Sequence, residues 1–121
     1  MAISAGGAIP TIDPGAMTAR MALERPVAAG DGQGGAVMTF EPVRELWARL
    51  EPLAAPVEER AGAEVFVVTH RIWINFRADM EADMEAGMRF RRGIRRFVVK
   101  AWRDPDETGR YLVCDCEEGR R

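Results

Sequence analysis

Between Ala63 and Phe76 the chain alternates. Glu64, Phe66, Val68, His70, Ile72, Ile74 and Phe76 share one face, and five of these seven are apolar. Ala63, Val65, Val67, Thr69, Arg71, Trp73 and Asn75 share the other. Period two with β-branched and aromatic residues predicts a long pleated strand. Burying its apolar face is worth about 1.5–3 kcal/mol per side chain, before the entropy of ordering is subtracted.

Weaker versions of the pattern lie on both sides. RMALERP, from Arg20, sets Met21 and Leu23 against Arg20, Ala22 and Glu24. The Gly- and Asp-rich run from Ala28 to Gly35 predicts a loop. Ala36 to Phe40 predicts a short strand, with Met38 and Phe40 alternating against Thr39. RELWARLEPL predicts another, with Leu46, Ala48 and Leu50 opposed to Glu45, Trp47, Arg49 and Glu51. Pro52 and Pro56 are expected to end it, with one helical turn in PVEERAGAE. RADMEADMEAG predicts a short helix capped by Asp79, because Met80 and Met84 are four apart. MRFRRGIRRFVVKAW reads as a hairpin turning at Arg92-Gly93, with Phe97, Val99 and Ala101 on one face. The DPDETG turn leads to YLVCDCEE, where Leu112, Cys114 and Cys116 alternate with Tyr111, Val113 and Asp115. The expected fold is all-β: a small antiparallel barrel or sandwich of about six or seven strands with long loops.

Composition narrows this. The chain has 121 residues, enough for one domain, with an expected boundary after a flexible arm over residues 1–18 and the β domain over 19–121. No run of about 18 apolar residues occurs, so no membrane partner is expected. Seventeen basic against nineteen acidic residues disfavour a globally basic nucleic-acid coat protein. Two cysteines one residue apart exclude a disulfide scaffold and suggest a reduced, intracellular chain without a secretory signal.

Catalytic chemistry finds little to stand on. His70 is the one histidine, and Thr69 lies on the opposite strand face, so no triad is suggested. Cys114, Cys116 and His70 supply at most three metal ligands in a C-x-C spacing, so no metal and no cofactor are expected. The acidic run Asp79, Glu81, Asp83, Glu85 lacks the glycine and ligand order of a calcium loop. No phosphate-cradling glycine motif and no nucleophile elbow occur. A small hydrolase is therefore remote.

Charge distribution says more. Arg89, Arg91, Arg92, Arg95, Arg96, Lys100 and Arg103 crowd the hairpin, and six acidic residues follow directly. This suits a basic hairpin facing DNA or an acidic partner, or two solvated strand faces paired across strands. Trp47 and Trp73 lie among charged neighbours, as interface aromatics do, although a second minor core would use them equally well.

At this point the chain resembles the phage head–tail joining family: the small head-closure or stopper proteins, and the connectors of phage-like gene transfer agents. The resemblance rests on RMALERP, DGQGGAVMTFEPVRELWARLEPL, VTHRIWINFR, GMRFRRGIRRFVV and DPDETGRYLVCDCEEG, in that order across residues 20 to 119. The arm before Met17 and a longer loop from Asp79 to Gly87 depart from the pattern.

The resemblance implies a non-catalytic β-barrel that assembles into a homo-oligomeric ring, expected to be twelve-fold. That ring would sit at the particle neck, beneath portal and adaptor and above the tail protein, retaining packaged DNA. Assembly would take place in the host cytoplasm. Candidate contact residues are Trp47, Arg49, Arg71, Trp73, Arg91, Arg92, Arg95 and Arg96. Asp79, Met80, Glu81, Asp83, Met84 and Glu85 are candidates for a loop facing the lumen or a neighbour. The alternative is a small nucleic-acid-binding barrel using the basic hairpin 89–103.

Overall fold

A computed structural model describes residues 17–75, 84–85 and 87–119. Six strands occur among the described residues: β1 (Ala19–Gly30), β2 (Ala36–Ala61), β3 (Glu64–Asn75), β4 (Arg89–Arg92), β5 (Arg95–Arg103) and β6 (Tyr111–Gly119). Every pairing is antiparallel, and the order β1-β2-β3-β6-β5-β4 closes into a barrel when β4 returns to β1. The all-β expectation holds, and no helix occurs among the described residues.

The differences come from bulges. The two strands expected over 36–40 and 44–53, and the helical turn after Pro56, are one 26-residue strand, β2. Its irregularities absorb the prolines. Leu23 pairs with Arg44 but Glu24 with Pro42, so Val43 is extra; residues 53–56 oppose Thr69 alone, between the pairs Pro52–His70 and Val57–Val68. At a bulge the ladder is already interrupted, so residues without a regular pairing are tolerated there.

The first loop is shorter than expected, because Ala28, Ala29 and Gly30 belong to β1. Asp31 closes it by accepting the backbone N–H groups of Gln33 (2.7 Å) and Gly35 (3.0 Å). The basic hairpin turns at Gly93-Ile94, one residue beyond expectation, where Gly93 takes φ +61°. A left-handed first turn position matches the strand twist and favours glycine. A bulge at Lys100 then reverses the face, so Trp102 rather than Ala101 packs on the core.

The core fills the barrel with Met21, Leu23, Ile72, Ile74, Met88, Phe90, Phe97, Val99, Leu112, Cys114 and Cys116. A second, smaller cluster of Met17, Trp73 and Val113, with Tyr111 against it, sits on the outer wall. Met17, two residues before β1, is buried in this second cluster. The helix expected over 77–87, together with Asp79, Met80, Glu81 and Asp83, lies outside the described residues apart from Met84, Glu85 and Gly87, which are not helical. Met84 is buried against the core and Glu85 is exposed.

Candidate functional site

Antiparallel order brings the start of β1, β3 and β5 and the end of β2, β4 and β6 to one barrel mouth. There a cavity of 310 Å³ is lined by Thr18, Ala19, Arg49, Leu50, Pro52, His70, Arg92 and Arg95. Arg92 and Arg95 face each other directly across the Gly93-Ile94 turn. Glu118 grips Arg95 with both oxygens, at 2.8 Å from Nε and 3.1 Å from Nη2. That contact holds the Glu118 carboxyl below its ordinary range and raises the Arg95 pKa. Arg92 has no ion-pair partner among the described residues.

His70 is buried beneath this pair, its ring edge-on to Phe97 at 5.0 Å. Nδ1 lies 2.8 Å from Thr69 Oγ1, which also accepts the Glu118 backbone N–H at 2.8 Å. Nε2 lies 3.4 Å from Arg95 Nη2, a group that can only donate. The consistent assignment is a neutral ring, with Nδ1–H donating to Thr69 and Nε2 accepting from Arg95. Burial lowers the His70 pKa; Glu118 opposes that shift and Arg95 adds to it. His70 therefore braces Arg95 as a neutral acceptor.

The eight expected contact residues do not form one surface. Arg92 and Arg95 stand at the mouth. Arg91 and Arg96 are a direct pair on the outer wall of β4 and β5. Arg96 Nε is buried there with no hydrogen-bond partner among the described residues. Trp47, Arg71 and Trp73 lie on the wall of β2 and β3, separated from the other wall by β1 on one side and β6 on the other; Arg49, opposite Trp73 and 3.7 Å from Glu51, sits where that wall meets the mouth cavity it also lines.

On that second wall the two tryptophans differ. Trp47 is 52% exposed, with the Arg20 guanidinium 5.4 Å above its ring. Trp73 is only 5% exposed and donates Nε1–H to Glu51 at 3.0 Å, so it is not presented to a partner. Met17 and Val113 cover it, which is the minor-core arrangement. Arg71 is held by Asp115 at 3.2 Å and Glu59 at 3.7 Å.

The chain matches the family described as phage head completion protein over residues 12–119. It belongs to the phage head completion protein family. A chain from the virion of a native gene transfer agent particle is similar to it, with 26% identity and a TM-score of 0.58 over 84% of this chain and 94% of that one. Protein SF1141 from Shigella flexneri 2a, solved in solution, shares the fold at a TM-score of 0.62 and 23% identity, over 91% and 99% of the two chains. No curated protein matches the chain.

In this head completion protein the arginines are organised by two acidic residues: Asp115, one of the six that follow the hairpin and were read as possible cross-strand partners, and Glu24, which the sequence did not single out. Glu24, buried on the outer wall, accepts from Arg89 at 2.7 Å and Arg91 at 3.0 Å. Asp115, also buried, accepts from Arg71 and, at 2.7 Å, from Arg103. An acidic residue with apolar neighbours, as in ALERP and LVCDC, was the only local signal of their burial.

No group of residues able to hold a metal occurs among the described residues. Cys114 and Cys116 are free thiols in the core, and burial raises both pKa values. Thiolate is the reactive form. A thiol reagent at neutral pH is therefore expected to label neither cysteine in the folded protein and both after denaturation. Rapid labelling of folded protein would show that β6 is not packed as described.

Proposed function

We propose that this head completion protein is a head–tail connector of the stopper type, acting without catalysis. Its copies form a ring between the portal–adaptor complex and the tail. The ring helps retain packaged DNA and gives the tail a docking surface. Family membership and the likeness to a gene transfer agent virion chain support this reading.

The observation that carries it is the ribbon made by the distal parts of β1 and β2. Among the described residues, β1 beyond Glu24 has no partner except β2, and β3 joins β2 only from Ala48 onward. Residues 27–30 and 36–40 thus form two strands whose outer edges are unpaired among the described residues and which carry no charged side chain. Val37 and Met38 on it are 51% and 60% exposed. An uncharged free edge invites pairing with another chain. A ring requires a patch of one copy to meet a different patch on the next, and this ribbon is one such patch. Trp47 and the arginines of β4 and β5 are contact candidates on other walls. Met84 and Glu85 stand at the opposite end from the mouth.

Electron microscopy of intact particles tests the position, and density for this chain should lie at the neck. Met38→Glu and Trp47→Ala alter exposed side chains and leave the subunit folded. Particles carrying them are expected to lose tail attachment. Normal tail joining by both variants would remove these surfaces from the interface.

A further inference from the structure

We propose that the cavity at the barrel mouth, framed by Arg49, Arg92 and Arg95, binds a phosphate oxoanion, carried by a nucleic-acid backbone or free in solution. Arg49 of β2, Arg92 of β4 and Arg95 of β5 all line it; Arg49 also lies 3.7 Å from Glu51 and Arg95 is held by Glu118, so Arg92 is the lining arginine without an ion-pair partner among the described residues. Like charges directly opposite in a hairpin are destabilising, yet Arg92 faces Arg95 and Arg91 faces Arg96 on either side of the same turn. Glu24 and Glu118 relieve one arginine of each pair. Arg92 is left unrelieved at the edge of the cavity.

The remaining lining selects the ligand. Leu50, Pro52 and Ala19 make part of the wall apolar, which strengthens any charge-assisted hydrogen bond made against it. Thr18 adds a hydroxyl. Cations arriving from three strands need an acceptor whose oxygens point in several directions. A planar carboxylate offers two, suited to one guanidinium fork; a phosphate offers more and carries greater charge. His70 is a positioning residue here, because its Nε2 holds Arg95 at 3.4 Å.

Only the choice of source rests on the connector reading, since a DNA backbone meets this mouth if the ring surrounds the packaged genome and turns the mouth toward it. The site itself does not depend on it. The test follows arginine Nε–H and His70 ring signals by NMR in the full chain. Sodium phosphate is titrated at constant ionic strength, with sodium chloride as control and a short DNA duplex in a separate arm.

Phosphate is expected to shift Arg92, Arg95 and His70 saturably. Arg92→Gln should weaken that binding by about tenfold or more. Arg110→Gln, in the turn at the other barrel end, should leave it unchanged. An equal response to chloride, no response to phosphate, or unchanged binding in Arg92→Gln would overturn the site. So would an acidic polypeptide that binds the same residues while phosphate does not. A duplex that competes with phosphate supports the site and identifies a nucleic-acid source. Phosphate binding without duplex binding supports the site, identifies free phosphate as the source, and counts against DNA contact at this mouth.

Discussion

Phe97→Ala is expected to lower the unfolding free energy by about 3–5 kcal/mol, the range for deleting a buried aromatic ring. Phe97 is fully buried and pairs directly with Phe90 across β4 and β5. Its ring supports the His70 edge at 5.0 Å and lies under the Arg95 guanidinium at 4.9 Å. Alanine would leave a cavity where the core meets the mouth, and the closed barrel gives the flanking strands little freedom to collapse into it. Domains of this size are stable by about 5–15 kcal/mol, so the loss is a large share of the total. Urea denaturation measures it. A change below about 1 kcal/mol would mean that the ring is not packed as described.

Glu24→Gln is expected to cost about 2–3 kcal/mol. Removing one member of an enclosed ion pair typically costs about 3–5 kcal/mol, because the partner stays behind without its countercharge. The figure here is smaller because the Arg91 side chain is 42% exposed and recovers water. Arg89 recovers less: its guanidinium is pinned at 3.7 Å over the Phe40 ring as well as to Glu24. The substitution keeps the side-chain shape, so the loss reports charge rather than packing.

The same residue sets a pH signature. Burial raises the Glu24 pKa, but the hydrogen bonds and charges of Arg89 and Arg91 outweigh it, and the net shift is below 4.5. The unfolded chain therefore binds the proton first as pH falls. Stability from Glu24 is full above 4.5 and is lost as pH drops through the lower folded value. Wild type should lose its advantage over Glu24→Gln across that window. An advantage that persists unchanged well below it would assign the effect to something other than the ionised carboxylate.

Strand identity was legible wherever one pleated face is buried. VFVVTHRIWIN reads as a strand because Val68, His70, Ile72 and Ile74 all point inward, and that is how β3 packs. Leu112, Cys114 and Cys116 are legible for the same reason. The arginine hairpin, too, was visible as a hairpin. Its turn was misplaced by one residue, because Arg92-Gly93 and Gly93-Ile94 both put glycine in the turn, and only pairing Phe90 with Phe97 chooses between them.

The candidate site was half legible. Arg92 and Arg95 stood out as charge, but the mouth that joins them to His70, Pro52 and Thr18 depends on six strands meeting in one order. Trp73 and Trp47 look alike in sequence. Met17, 56 positions from Trp73 by their numbering, helps bury that ring, while Trp47 stays half exposed beneath Arg20.

Local pattern was enough to show that this chain is built of strands, that its arginine hairpin turns within a residue of Gly93, and that its cysteines lie on the core face of the last strand. These are properties of the pleat and of local backbone sterics, which act over two to four residues. The tertiary structure decided that β2 runs unbroken past its prolines, that Trp102 replaces Ala101 at the core, and that Glu24 is held by arginines 65 and 67 positions away. Each of those follows from register. Register depends on ring closure and on bulges that flip every later side chain to the other face, and no local period encodes either.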